Sequence, residues 1–346
     1  MEAAIPASVL SRYRDLAGRP HRPFGTGLIN STFLVEGHTA RAVVQRLHPV
    51  FAGSVNEDID AVTAHLLRKG LTTPRPLRTD DGALWVQGEQ GRPWRALSFV
   101  EGQAFDRVAS PAIARQAGQL VARFHAALAD LEYEYRHVRA GVHDTPRHLA
   151  TLRAALEAHR DHRLLSEIEP LAERLLAAAG RLPVLSDLPK RHAHGDLKIS
   201  NLLFRGEEAS CLVDLDTLGR MVWAFEVGDA LRSWCNPRGE DVAEASIDRQ
   251  IFAAALEGYG AVAKSVDLLS REEALAVVDG LATLCLELSA RFLADSLEER
   301  YFGWDSSRFA TRGEHNLLRA RGQLSLFESV EAQREELERS AREALL

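Results

Sequence analysis

Cysteine is scarce: Cys211, Cys235 and Cys285 are the only three in the chain, and they lie too far apart to read as a disulfide framework or a paired zinc motif. A basic excess is also missing. Lysine and arginine number 42 against 49 aspartate and glutamate, a net charge of −7, which argues against general affinity for nucleic acid or an anionic membrane. The first residues, Met1 to Pro6, lack a basic region leading into an apolar run, and no stretch is long and apolar enough to cross a bilayer. Together with the cysteine usage, this reads as a cytoplasmic protein with no membrane partner. Internal repeats and low-complexity tracts are lacking too. What remains is 346 residues of 46% apolar composition, enough to bury a large core in one large domain or two smaller ones.

Ser31–Val35 and Arg41–Leu47 are rich in β-branched residues on either side of the turn-like Glu36-Gly37-His38, which predicts a hairpin. Ile59, Val62, Thr63, Leu66 and Leu67 then recur at helical spacing up to Lys69-Gly70. Strand signals return at Ala83–Val86 and Arg95–Val100 and stop at Glu101-Gly102, beyond which the composition is strongly helical. Ser110-Pro111 reads as the cap and first residue of a helix whose buried face is Ile113, Ala117, Leu120, Val121, Phe124 and Leu128. Helix is again predicted from about Leu149 to Ala179, and the alternating charges from Glu331 to Arg342 predict a solvated helix face.

The densest chemical signal is His194-Gly195-Asp196-Leu197-Lys198-Ile199-Ser200-Asn201, followed by apolar Leu202-Leu203-Phe204 and then Cys211-Leu212-Val213-Asp214-Leu215-Asp216. Moving a phosphoryl group needs a carboxylate aligned on the attacking hydroxyl and oxygen ligands for Mg²⁺ bridging the phosphates. In this pattern Asp196 is the expected catalytic carboxylate, Asn201 and Asp214 the expected metal ligands, and Lys198 the cation that offsets charge on the transferring phosphate. Asp216 is a candidate for metal or substrate, with a salt-bridged or capping role as the alternative. An isolated Asp-x-x-x-x-Asn is more often turn chemistry; the His-Gly prefix, the two strands and the trailing Asp-Leu-Asp favour function.

Upstream, Gly25 and Gly27 in Phe24-Gly25-Thr26-Gly27-Leu28-Ile29-Asn30 would let backbone amides approach nucleotide phosphates, with Asn30 beside them. Downstream, Asp229 at the start of an expected helix is read as a cap that braces the catalytic loop, and Trp234 as a residue lining the acceptor pocket or else a buried indole.

These residues resemble the aminoglycoside phosphotransferase and choline kinase superfamily, whose signature is a His-Gly-Asp loop ending in Asn, then an Ile/Val-Asp strand. Gly27–Phe33, Val44–Leu47, Asp214–Thr217 and Gly228–Arg232 are most similar to the N-acetylhexosamine 1-kinases, as are Arg291–Asp295 and the stretch from His315 to Gln323. The resemblance implies an α+β, two-lobed, protein-kinase-like fold. Residues 1–101 would form an N-terminal antiparallel-sheet lobe with one helix, and residues 102–346 a larger helical lobe carrying the catalytic loop and the acceptor site. It also implies ATP and Mg²⁺ as cofactors, the anomeric hydroxyl of a sugar as acceptor, Arg291 as a sugar contact, and a monomer or homodimer. An aminoglycoside, a choline-like alcohol or an amino-acid hydroxyl is the alternative acceptor, and a non-catalytic nucleotide-binding pseudokinase the alternative function.

The sequence departs from the wider pattern at Gln45, which stands where most kinases carry a strand lysine. Strand alternation turns Val43 and Gln45 to one face and Ala42, Val44 and Arg46 to the other, so Gln45 is expected at the nucleotide cleft, paired with Glu57 of the following helix. Gly195 stands where the hexosamine kinases have Asn.

Overall fold

The computed structural model describes residues 4–25, 30–88, 91–138 and 141–346. A short helix, α1 (Ala7–Leu10), precedes β1 (His21–Pro23), which runs antiparallel to β2 (Ser31–Glu36). β2 pairs with β3 (Arg41–Arg46), placing Thr32 opposite Gln45. After α2 (Val55–Arg68), the strands β4 (Pro76–Leu77), β5 (Val86–Gln87) and β6 (Pro93–Ser98) complete an antiparallel sheet of order β1-β2-β3-β6-β4, with β5 also on β6. The alternation expected in β3 holds: Ala42 and Val44 are buried beneath the sheet with Phe33, Val35, Trp94 and Ala96, while Val43 and Gln45 face the other way. The strand signal at Ala83–Val86 yields only the two-residue β5.

The chain leaves the sheet at Ser98 and enters α3 (Pro111–Leu128), whose Ser110 hydroxyl accepts the Ile113 N–H at 3.3 Å. A cap of this kind contributes about 1 kcal/mol. The helical run read from Leu149 to Ala179 is two helices, α4 (Thr145–Ala158) and α5 (Leu165–Ala179), broken at His159–Leu164. Next come β7 (Lys190–Ala193), β8 (Leu202–Arg205), β9 (Glu208–Leu212), β10 (Gly219–Val222) and α6 (Trp223–Trp234). The helices α7 (Arg249–Ala263), α8 (Arg271–Leu275), α9 (Val277–Glu298), α10 (Arg312–Ala332) and α11 (Arg334–Leu345) close the fold. α11 is solvated on one face only; Leu337, Ala341, Ala344 and Leu345 are buried on the other.

α3 and α7 approach each other closely because each offers a glycine at the crossing. A Cβ on Gly118 would strike the Ala255 carbonyl, and one on Gly258 the Arg115 carbonyl. α9 is apolar nearly all round and forms the centre of the helical part, as expected for a helix with neighbours on every side. The large core also takes in Leu47, Phe51, Val55, Ile59, Val62 and Leu66, so α2, although it lies in sequence among the sheet strands, is packed into the helical part. All three cysteines are buried as free thiols, and burial pushes Cys211 and Cys285 up to about 12. Among the described residues no helix is long and apolar enough to cross a membrane.

Candidate active site

Two small antiparallel pairs, β7 with β10 and β8 with β9, hold the motif between them. β7 delivers His194, and the chain then turns sharply: Gly195 has φ +81°, and a Cβ there would collide with the Thr217 carbonyl oxygen. Glycine is therefore required by both conformation and space. His194 is fully buried; its Nε2 lies 2.9 Å from the Val213 carbonyl, while its Nδ1 accepts the Asp196 N–H at 3.3 Å. Its own N–H and that of Gly195 donate to the buried Glu226 carboxylate at 2.8 Å and 3.1 Å. The brace of the loop is thus Glu226, in the first turn of α6. Asp229, the residue read from the sequence for that role, lies a turn further along and accepts from Arg232 at 2.8 Å.

Asp196 keeps its carboxylate partly open, bonded to Lys198 Nζ at 2.8 Å. Burial works against the Lys198 charge, but the carboxylates of Asp196 and Asp214 outweigh it and hold its pKa above the ordinary value. Asn201 is buried, its side-chain N–H₂ donating to the Asp196 carbonyl at 2.9 Å. Since the amide nitrogen is engaged there, its oxygen is the atom available to a metal. Asp214 sits in the left-handed region at φ 62°, a strained conformation for a residue with a side chain. Desolvation and the neighbouring Asp216 raise its pKa, and among the described residues its carboxylate accepts no hydrogen bond. A carboxylate so placed is suited to a cation. Among the described residues no cluster of three or more His, Cys, Asp or Glu could hold a metal alone, so Asn201 and Asp214 fit an ion whose remaining ligands are phosphate and water, as Mg²⁺ prefers.

On the sheet side, Gly25 has φ +77°, and among the described residues nothing would meet a Cβ there; Gly27 lies outside the described residues. Asn30 does not stand free beside them: its Nδ2 donates to Asp216 at 2.7 Å and its oxygen accepts the His48 N–H at 2.9 Å. Gln45 faces the expected way but does not pair with Glu57, which is bound to Arg136. Adjacent residues on a helix point about 100° apart, and it is Asn56 that turns toward the sheet. The partner of Gln45 is Arg95 on β6, its cross-strand neighbour. Arg95 and Asp216 form an ion pair 1% and 2% exposed, which makes Asp216 a link between sheet and catalytic loop and not a residue of the acceptor wall. Arg95 escaped sequence reading because its partners lie 50 and 121 residues away.

Below the loop opens a cavity of about 1410 Å³, lined by Asp196 and Lys198 together with residues such as Asp229, Arg291, Phe302 and Trp304. Arg291 of α9 lies with its guanidinium 5.4 Å from the centre of the Phe302 ring, and no carboxylate pairs with it among the described residues. Trp234 is absent from the lining. It is buried, and its indole N–H donates to the Leu197 carbonyl at 2.7 Å, under the loop.

Homoserine kinase of Rhodopseudomonas palustris is 28% identical over 239 residues, 66% of this chain and 68% of that protein. Homoserine kinase of Rhizobium etli is 29% identical over 283 residues, 78% of each. The crystal structure of an aminoglycoside phosphotransferase from Alicyclobacillus acidocaldarius superposes with a TM-score of 0.64 at 18% identity, covering 96% of this chain and 97% of that one, which shows the kinase-like fold. The model of the phosphotransferase enzyme family matches residues 21–263. With that match spanning more than half its length, the chain belongs to the phosphotransferase enzyme family and is a small-molecule phosphotransferase acting on a hydroxyl group.

Proposed function

We propose that the protein is a cytoplasmic kinase that transfers the γ-phosphoryl group of ATP to a hydroxyl of a sugar, with an N-acetylhexosamine and its anomeric hydroxyl as the first choice. The observation that carries the phosphoryl-transfer reading is Asp196, half-open at the wall of the 1410 Å³ cavity with Lys198 bonded to it. Asp196 orients the acceptor hydroxyl and takes its proton as the oxygen bonds to the γ-phosphorus and the bond to the ADP leaving group breaks. Lys198 offsets charge on the group in transit. Asn201 and Asp214 would hold Mg²⁺, which when bound neutralises the phosphate oxygens. The likeness of Asp214–Thr217, Gly228–Arg232 and Arg291–Asp295 to the hexosamine kinases supports the sugar, and the cavity is large enough for one. Asp196 at the bond-making atom and Arg291 on the cavity wall give the acceptor two points of attachment.

A second reading, an amino-acid hydroxyl, is supported by the homoserine kinase relatives and by Arg291, a cation of the cavity wall that pairs with no carboxylate among the described residues and would suit an acceptor carboxylate. The test is ADP release from Mg-ATP across N-acetylhexosamines, hexoses, homoserine, aminoglycosides and choline, with Asp196→Asn as control. A response to one hexosamine that the control abolishes supports the sugar. A response to homoserine alone replaces it with the second reading, and nucleotide binding without turnover on any acceptor favours a non-catalytic role.

A further inference from the structure

Gln45 leaves the sheet without the cation that a strand lysine brings to nucleotide phosphates, yet a cation lies directly beside it. Arg95 is 1% exposed, and its Nε and one Nη donate to the same oxygen, Oε1 of Gln45, at 2.9 Å and 2.7 Å. Its other Nη bonds Asp216 and also Asn56 of α2, the latter at 3.3 Å. Asp216 is completed by Asn30 at 2.7 Å. One guanidinium therefore ties together β3, β6, α2 and the turn that carries Asp214.

The consequence for Gln45 is directional. A free glutamine amide presents either its oxygen or its nitrogen by a half-turn of the last torsion. Here the oxygen is held by two guanidinium N–H groups, so the nitrogen must point away from Arg95. One of its hydrogens reaches Thr32 Oγ1 at 3.1 Å, and among the described residues the second has no acceptor. An amide locked this way offers only donors to its open side, as an ammonium does. It is also polarised by the adjacent positive charge.

We propose that Arg95 is a positioning residue for the nucleotide: itself paired with Asp216, it pins the Gln45 oxygen and so makes Gln45 a fixed hydrogen-bond donor to a nucleotide phosphate oxygen. This rests on the kinase reading above. An ion pair that serves only stability would hold the lobes together without fixing which end of the Gln45 amide faces outward.

The test is calorimetric titration of the whole protein with Mg-AMP-PNP. Gln45→Glu keeps the size of the side chain and gives Arg95 a second carboxylate beside Asp216, but replaces the N–H donors by oxygen. The expected result is a thermal midpoint at or above that of the wild type with nucleotide affinity reduced about tenfold or more. Arg95→Met/Asp216→Asn removes the buried pair without leaving a lone charge, and the same loss of affinity is expected. In a Gln45→Met background that pair of changes should cost no further affinity, because its effect runs through the Gln45 amide. Wild-type affinity in Gln45→Glu, or an undiminished Arg95 effect in the Gln45→Met background, overturns the proposal. Should Gln45→Glu fail to fold, Gln45→Met carries the first comparison with the same criterion. A wild-type protein that binds no Mg-AMP-PNP overturns the kinase reading itself, a result distinct from equal binding by all variants.

Discussion

The indole N–H of Trp234, at the end of α6, donates to the carbonyl of Leu197, the residue after Asp196, at 2.7 Å. Both residues are buried, so that carbonyl has no water to fall back on. Trp234→Phe keeps an aromatic ring but removes the donor and leaves a small cavity where the rest of the indole was packed. It is expected to cost about 1–3 kcal/mol of stability and to lower kcat more than it raises KM for the acceptor, because the indole supports the loop from beneath and touches nothing in the cavity. Chemical denaturation and steady-state kinetics on the same preparation check both halves.

Asp196→Asn removes the proton acceptor but retains the shape of the side chain. Turnover should fall by about 10²–10⁴, with binding of Mg-AMP-PNP nearly unchanged. Equal turnover by the variant and the wild type would move the catalytic carboxylate elsewhere.

Gly195→Ala introduces a Cβ at φ +81° against the Thr217 carbonyl. Left-handed backbone and collision act together, and a loss of about 1–3 kcal/mol is expected. Since Asp196 is the next residue, activity should fall further than stability alone accounts for, measured well below the melting temperature of the variant.

Glu226 yields a pH dependence. Burial alone would raise its carboxyl, but the His125 imidazole 3.7 Å away and the bond from the His194 amide outweigh that and hold it below the ordinary 4.5. A carboxyl depressed by folding adds stability that is complete above pH 4.5 and is lost as pH falls through the folded value. Thermal midpoints of the wild type should therefore drop on acidification below about pH 4.5, and Glu226→Gln should start lower with a shallower drop over the same range. Parallel curves for the two proteins would remove Glu226 as the source.

What could be read from sequence was what is contiguous. The His194–Asn201 loop and the trailing Asp214 carry their geometry in their spacing, and the β2–β3 hairpin and the Ser110 cap are likewise local. The face of Gln45 followed from the two-residue period of a strand. Its partner, Arg95, did not, and neither did the helix residue that turns toward the sheet, because Glu57 and Asn56 differ by one helix position and only packing decides which turns inward. Nothing in the sequence marks Glu226 ahead of Asp229, because the start of α6 at Trp223 carries no capping side chain and its first turn therefore reads later than it lies. Arg95 lay within a strand signal as one charged residue among apolar ones, and its burial depends on Asp216 from the other half of the chain. The two-way split of the chain near Glu101 left α2 with the sheet, whereas its apolar face belongs to the large core.

The three sulfhydryls are walled in, and their protons are held far more firmly than those of a surface thiol. Maleimides and iodoacetamides need an exposed thiolate, so the native fold is a silent background for them. A fluorophore or spin label attached through one engineered surface cysteine on the sheet would report on that position alone. Paired with a second label on the solvated face of α11, it would give the distance between the two halves of the molecule before and after nucleotide is added, with no native residue to be replaced first.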